Sequence, residues 1–549
     1  MVLILDIQKI IDEVSIEINN VTDPIAKIII AKLLNIIEML VQENKLLREE
    51  NQKLRDENNK LKGGNGKPNV RPQSKQNISS EDERKKKKKK KNKKTKNNKK
   101  NIKIDRTVDR TVDPNTLPED AVFKGYQTVI VQDIIIKSDN VLFKKEVYYS
   151  PSLNKTFMAS MPDGYEGEFG PNIKSLIITQ HFQHKMTEPA IVQFLQDHGI
   201  QISAATVSRI ITDNKEAFHA EKTDIIQAGL PSSVYQQMDD TGARVNGQNY
   251  YTHILCNEYY TAYFTRENKN RLTILEILSQ KQLTFEFNKI TYALMIEMNL
   301  SHKILTKLQN QPALKTILNH QEVDAILDNL FPIPGKYQRS RQIILEAGAI
   351  VAYQNLPYAT KILLTDDAPQ FKQITELLAL CWIHDGRLYK KLAPVFSANK
   401  DKISSFLDNY WDYYHELLEY KKAPTIEFAK SLEKEFDIIF STITGYDQLD
   451  DRINRTRLKK DSLLLVLQHP ELPLHNNNSE LGARVQARYR DISFQTKNHK
   501  GTESKDSLMT IIETAKKLGV NAFNYIFDRV SENFSMPSLA NLVAEQGLQ

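Results

Sequence analysis

Leucine returns every seventh residue at Leu33, Leu40, Leu47, Leu54 and Leu61. With these leucines at d, the a positions are Ile30, Ile37, Asn44, Asn51 and Asn58, and Glu, Lys and Arg crowd the remaining places. A seam kept over more than four heptads predicts a coiled coil. Leu at d with Asn at a favours a parallel dimer in fixed register, because a buried Asn is satisfied only by its counterpart. Gly63-Gly64 should stop the helix, and Gly66, Pro68 and Pro72 keep the chain open. Residues 1–62 are therefore a helical region that self-associates.

Periodicity then disappears. From 63 to 115 the chain is Lys, Asn, Gly and Pro with few apolar residues, a disordered linker by composition, with a short duplication, DRTVDRTVD, at 105–113. Alternation of apolar and polar residues in YQTVIVQDIIIK and FKKEVYYS predicts a small β-rich module over 116–170. Residues 171–230 turn helical. In TEPAIVQFLQDHG, Thr187 can cap a helix with Pro189 in its first turn, and Gly199 stops it. Ser203 can cap the next segment, so the pair fits a helix-turn-helix with Ser203 to Asn214, including Arg209, as recognition helix.

Residues 231–530 mix strands and helices, and 531–549 form a tail. Three strands are expected near Ser232: one ending at Asp239-Asp240, a turn at Asn246-Gly247, then two strands rich in Tyr and Thr. A further strand in ATKILLTDDAPQF ends at Asp366-Asp367. The stretches near 267–355 and 393–468 look helical and read as insertions. The expected fold class is thus multidomain α+β.

Composition narrows the function. Two cysteines, Cys256 and Cys381, rule out a disulfide scaffold, and two thiols alone cannot build a Cys₄ or Cys₂His₂ zinc site. Residues 116–170 contain no cysteine, so that module must fold without zinc. No uncharged apolar run approaches the ~20 residues of a membrane helix. The start, MVLILDIQKI, lacks a basic region before its apolar residues, so no secretory signal is expected. Of the formal charge of +7, residues 84–103 alone contribute +14, leaving −7 for the rest. Lys85, Lys88 and Lys91 stand in this tract, which can displace counterions from a phosphate backbone without reading sequence.

The acids at strand ends suggest metal-assisted phosphoryl transfer. Mg²⁺ prefers oxygen ligands, and two ions ~3.5–4 Å apart can serve both the attacking and leaving oxygens. Glu480 should open a helix among Arg484, Arg488 and Arg490, side chains suited to DNA phosphate. His384, Trp382 and Cys381 read as structural residues, and Tyr250, Tyr251, Tyr259, Tyr260 and Tyr263 as sheet packing. No GxxxxGK[ST] occurs, so ATP is not implicated.

Together these segments resemble a bacterial DDE transposase of the insertion sequence 66 family. DDTG at 239–242 and LLTDD at 363–367 are similar to that family's first two acid motifs, CWIHDGRLYKKL at 381–392 resembles CWAHARRKF, NNNSE at 476–480 fits NNxxE, and SLMTIIETAKKLGVNAFNYIFD at 507–528 is similar to its C-terminal segment. The resemblance implies an RNase H-like α/β catalytic domain interrupted by helices, with Asp239, Asp366 and Glu480 binding two Mg²⁺ ions, Mn²⁺ being able to substitute. Asp240 and Asp367 are adjacent rivals, facing the opposite side if the strand runs through them. Leu481 stands where the family carries Arg.

The resulting expectation is a cut-and-paste DNA transposase, dimeric or larger, acting on double-stranded DNA at terminal inverted repeats and at a target. It would work in the bacterial cytoplasm on nucleoid DNA. The alternative is a catalytically inactive DNA-binding dimer derived from a transposase; a stand-alone RNase H-type nuclease would not need the zipper.

Overall fold

The computed structural model describes residues 22–61 and 102–548, except 166 and 316. The lysine tract, with Lys85, Lys88 and Lys91, lies outside the described residues. The heptad segment forms one 38-residue helix, α1 (Pro24–Leu61). Its d-position leucines Leu33, Leu40, Leu47 and Leu54 are exposed. The opposite, polar face of α1 is the one that packs on the body: Asn35 and Glu38 are buried there.

Residues 116–170 differ from the expected β module. They hold one hairpin, β1 (Val147–Ser150) with β2 (Lys155–Met158), while the alternating stretch 126–137 contains no strand. Val129, Val131, Ile134 and Ile135 are exposed. Alternation supplies one apolar face, but a strand also needs a neighbour to take its backbone hydrogen bonds, and no neighbour pairs with this stretch.

Four helices follow: α2 (Pro171–Phe182), α3 (Glu188–Asp197), α4 (Ala204–Thr212) and α5 (Glu216–Gly229). The expected caps are present. The Ala190 N–H donates to Thr187 Oγ1 at 3.3 Å, and the Thr206 N–H donates to Ser203 Oγ at 3.1 Å. Gly199 ends the α3 segment at φ +81°, a left-handed conformation that costs glycine nothing.

The central sheet has five strands: β3 (Tyr235–Val245), β4 (Gln248–Cys256), β5 (Thr261–Arg266), β6 (Ile362–Thr365) and β7 (Leu377–Leu380). Their order is β5-β4-β3-β6-β7; the first three are antiparallel, whereas β3, β6 and β7 run parallel. The β3–β4 turn uses Asn246 and Gly247, both at positive φ, as a two-residue hairpin requires. β3 does not end at Asp239-Asp240 but runs on to Val245, because the hairpin carries Asp240 opposite His253 and Gly242 opposite Tyr251. Ladder pairing overrides the local preference of acids for strand ends.

Five helices join β5 to β6: α6 (Arg271–Ser279), α7 (Lys289–Glu297), α8 (His302–Gln309), α9 (His320–Leu330) and α10 (Pro334–Gln354). After β7 come α11 (Trp382–Lys390), α12 (Ser397–Tyr420), α13 (Ile426–Ile439) and α14 (Asp447–Arg457), then α15 (Asn477–Ser493) and α16 (His499–Lys517). Two cores result. One joins the sheet to α2–α10, α15 and α16 and includes Ile177, Ile254, Leu275 and Ile512. The other, rich in aromatics, is built from Trp382, Tyr410, Tyr413, Phe436 and Phe440 inside α11–α13. Trp382 Nε1–H donates to the Leu463 carbonyl at 2.9 Å, which satisfies the polar edge of a fully buried indole. After α17 (Ala522–Val530), the segment expected as a tail carries α18 (Leu539–Gly547), which packs on α5 through buried Leu539 and Val543. Among the described residues no helix is long and apolar enough to cross a membrane.

Candidate active site

Strand register brings the first two acids together. Parallel pairing sets Tyr235 beside Ile362, Gln236 beside Leu363 and Gln237 beside Leu364. Two residues beyond the last pair stand Asp239 and Asp366, so the same register carries both to one level and, by the period of two, to one face. Glu480 arrives from the first turn of α15. That helix lies against β3 and β4 with Gly482 facing Ile254: a Cβ added at Gly482 would come within 2.8 Å of Ile254 Cγ2. The glycine thus lets the helix sit close enough for Glu480, two residues earlier, to reach the sheet's acids.

The electrostatics follow from this convergence. Asp239 is pushed up to about 7, first by burial and then by Asp366, Asp240 and Glu480, although the Asp240 N–H opposes the shift at 2.8 Å. Burial also raises Asp366, with Asp240 and Asp367 adding to it; the Ala368 N–H at 3.1 Å and His384 pull the other way. Glu480 is buried but compensated. Its Oε2 lies 3.3 Å from Arg387 Nη2 and 3.5 Å from Arg484 Nη2, and its Oε1 lies 3.7 Å from His384 Nδ1. Burial lowers the His384 pKa, so the imidazole is predominantly neutral at pH 7.

The neighbouring acids are occupied by cations. Asp240 meets Lys269 at 3.5 Å and accepts from Gln370 Nε2 at 3.0 Å. Asp367 meets Lys459 at 2.6 Å and Lys372 at 3.1 Å. Burial pushes Asp367 upward most, yet these two lysines together hold it below the ordinary value. Lys459 is itself held in a buried network, in which Asp385 Oδ1 takes Arg452 Nη2 at 2.5 Å and Lys459 at 3.5 Å, and Thr456 Oγ1 donates to Asp385 Oδ2 at 2.8 Å. The helical segment around α14 thereby braces the loop that carries Asp366.

A cavity of about 690 Å³ opens beside the acids, with Asp366, His384, Arg387, Lys391, Lys459 and Arg484 in its wall. Arg387, Lys391 and Lys459 were not singled out in the sequence. Arg387 and Lys391 lie one and two helical turns past His384 in the CWIHDGRLYKKL motif, a spacing that could have flagged them. Nothing local marks Lys459. Of the expected DNA contacts, Arg484 joins the acids. Arg209 is exposed on α4, Arg488 is exposed on α15, and Arg490 donates from Nη1 to the Gly242 carbonyl at 2.7 Å, tying the end of α15 to β3. The Tyr side chains divide, with Tyr260 and Tyr263 fully buried in the core. Burial pushes the Cys381 and Cys256 thiols up to about 11, so neither is poised as a nucleophile.

Three acids, one within β3, one just past the end of the parallel β6 and one on a facing helix, ringed by arginine and lysine, define a protein suited to work on phosphodiesters. Residues 166–288 match the model of the family described as "Transposase IS66 family". The chain is also 30% identical over 331 residues to an uncharacterized protein, y4jO, of Sinorhizobium fredii (strain NBRC 101917 / NGR234), an alignment covering 58% of this chain and 99% of that protein. The chain belongs to the IS66 transposase family.

Proposed function

We propose that this protein is a DNA transposase that binds the ends of an insertion sequence and cleaves and joins strands with Asp239, Asp366 and Glu480. The observation that carries this reading is the register of β3 against β6, which sets Asp239 level with Asp366 under Glu480. The strand order, with three antiparallel strands followed by two parallel ones, supports an RNase H-like catalytic domain. All three donors are carboxylates, and the raised Asp239 reflects burial and crowding of like charge that a hard cation would relieve. Such a set fits Mg²⁺, with Mn²⁺ as substitute. When bound, a pair of these ions supplies charge stabilisation for the attacking and leaving oxygens.

The chain's own side chains do the rest. Arg387, Lys391, Lys459 and Arg484 face the cavity and would hold a phosphodiester against the acids, which is positioning and charge compensation in one step. Asp240 and Asp367, already engaged by lysines, leave the role to Asp239 and Asp366. The α3–α4 pair would act as the helix-turn-helix, with Arg209 toward the terminal repeat, and the Lys85–Lys91 tract would add sequence-independent affinity. The exposed leucine seam of α1 would pair two protomers across two ends, on nucleoid DNA in the bacterial cytoplasm.

A labelled duplex carrying the element's own ends, incubated with Mg²⁺, tests this. Nicking at the element boundary is expected from the wild type and not from Asp239→Asn or Glu480→Gln, with DNA affinity nearly unchanged. Binding without nicking in both Mg²⁺ and Mn²⁺ would instead mark an inactive DNA-binding dimer.

A further inference from the structure

A second set of donors meets at the edge of the same site. The Cys381 Sγ, a ring nitrogen of His384 and a carboxylate oxygen of Glu480 all lie within 4.8 Å of one another. Cys381 caps the N-terminus of α11 and His384 stands in its first turn, so the Cys-x-x-His spacing turns both side chains to one face of that helix. Glu480 closes the third side from α15. Cys381 and His384 both line the cavity beside the acids, which provides a route of entry from solvent.

The donor set differs in kind from the three carboxylates. Thiolate and imidazole favour a borderline-soft ion such as Zn²⁺ over Mg²⁺. Zn²⁺ held at ~2.0–2.3 Å by S, N and O keeps its ligands roughly 3.3–3.7 Å apart. The cluster must therefore contract by about 1 Å, within reach of side-chain rotation. The two oxygens of Glu480 are already divided: Oε2 faces Arg387 and Arg484, whereas Oε1 faces His384. Three protein ligands leave a fourth position open.

We infer that Cys381, His384 and Glu480 form a Zn²⁺ site that shares Glu480 with the DNA-cleaving acids, so that Zn²⁺ binding withdraws the third carboxylate and switches cleavage off. The thiol proton passes to bulk solvent on binding and returns when the ion leaves. No redox step is involved. The inhibitory half of this inference rests on the proposed role of Glu480; the metal site itself does not.

Co²⁺ titration of the full-length protein, followed by displacement with Zn²⁺, reads the site directly, because a cobalt–thiolate bond gives a charge-transfer absorption that carboxylate-bound Co²⁺ lacks. One Co²⁺ per chain with this band is expected in the wild type and in Cys256→Ser, which removes the other thiol. The band should vanish in Cys381→Ser. In His384→Ala it should persist with Co²⁺ affinity weaker by at least the roughly 10–100-fold that loss of even an outer-shell partner costs; this variant keeps the test open should Cys381→Ser fail to fold. No band in the wild type, or an undiminished band in Cys381→Ser, would overturn the site. In Mg²⁺-supported nicking, Zn²⁺ at ten times its dissociation constant should lower the rate about tenfold by mass action. Nicking that continues at full rate with Zn²⁺ bound would overturn the switch. A wild type that binds Zn²⁺ but never nicks would leave the site standing and refute the proposed activity instead.

Discussion

Gly482→Ala adds one methyl group at the point where α15 rests on the sheet. The new Cβ would stand 2.8 Å from Ile254 Cγ2 and 3.4 Å from both Thr261 Cγ2 and the Tyr263 hydroxyl. Carbon atoms prefer about 3.5–4.0 Å, so the helix must lift by about 1 Å. Two energies compete. Alanine improves helix propensity by about 1 kcal/mol over glycine, while overpacking costs about 1–3 kcal/mol. The net loss of stability is therefore about 0–2 kcal/mol, and the protein should fold. The same lift displaces Glu480, one short step back along the helix, from Asp239 and Asp366. A misplacement of about 1 Å costs on the order of 100-fold in rate. The expected outcome is thus a folded variant, bound to DNA, that nicks about 100-fold more slowly, measured by thermal melting beside a duplex-cleavage time course. Ile254→Ala removes the opposing Cγ2, so the double variant should regain most of the rate even though it is less stable. Equal rates for Gly482→Ala and wild type, or a double variant as slow as the single one, would refute the idea that this contact sets the position of Glu480.

Two further outcomes follow from buried acids. Asp239 is raised to about 7 from an ordinary 3.8, so the folded state binds a proton that the unfolded chain has lost; stability falls as pH rises from about 4 to 7 and then levels. Asp239→Asn should therefore stabilise the metal-free protein at pH 8 by on the order of 2–4 kcal/mol, with the advantage vanishing near pH 4 and in saturating Mg²⁺, as chemical denaturation would record. Glu38, buried in the face between α1 and the helical segment, accepts from the Val395 N–H at 2.5 Å, Asn399 Nδ2 at 2.8 Å and the Tyr446 hydroxyl at 3.3 Å. Glu38→Ala strands the Val395 N–H and the Asn399 amide at about 1–3 kcal/mol each, while the Tyr446 hydroxyl keeps Gln448 Oε1 at 3.1 Å, and hydrogen exchange should rise at 395–399 while the sheet stays protected; unchanged exchange there would show that α1 is not anchored by this residue.

Much of the local structure was legible because its causes are local. The caps at Thr187 and Ser203, the Asn246-Gly247 hairpin and the heptad leucines each act within a few residues, and each element is found where its signal lies. The strand through Asp239 ran longer than expected because its pairing with β4, and not the preference of its own residues, set its end. The alternation at 126–137 misled in the opposite sense: a pattern for one face cannot supply the neighbour that a strand needs.

The sequence by itself determined the acids, their order along the chain, the seven-residue seam and the excess of positive charge at 84–103. Tertiary structure alone decided the pairing of Gln237 with Leu364, residues 127 positions apart, and with it the level meeting of Asp239 and Asp366. It also decided that Lys459 and Lys372 engage Asp367, and that α1 anchors through Glu38 while its leucines face outward. Parallel register, ion pairs across long loops and the choice of a docking face all depend on packing between distant segments, where no short stretch of sequence carries the information.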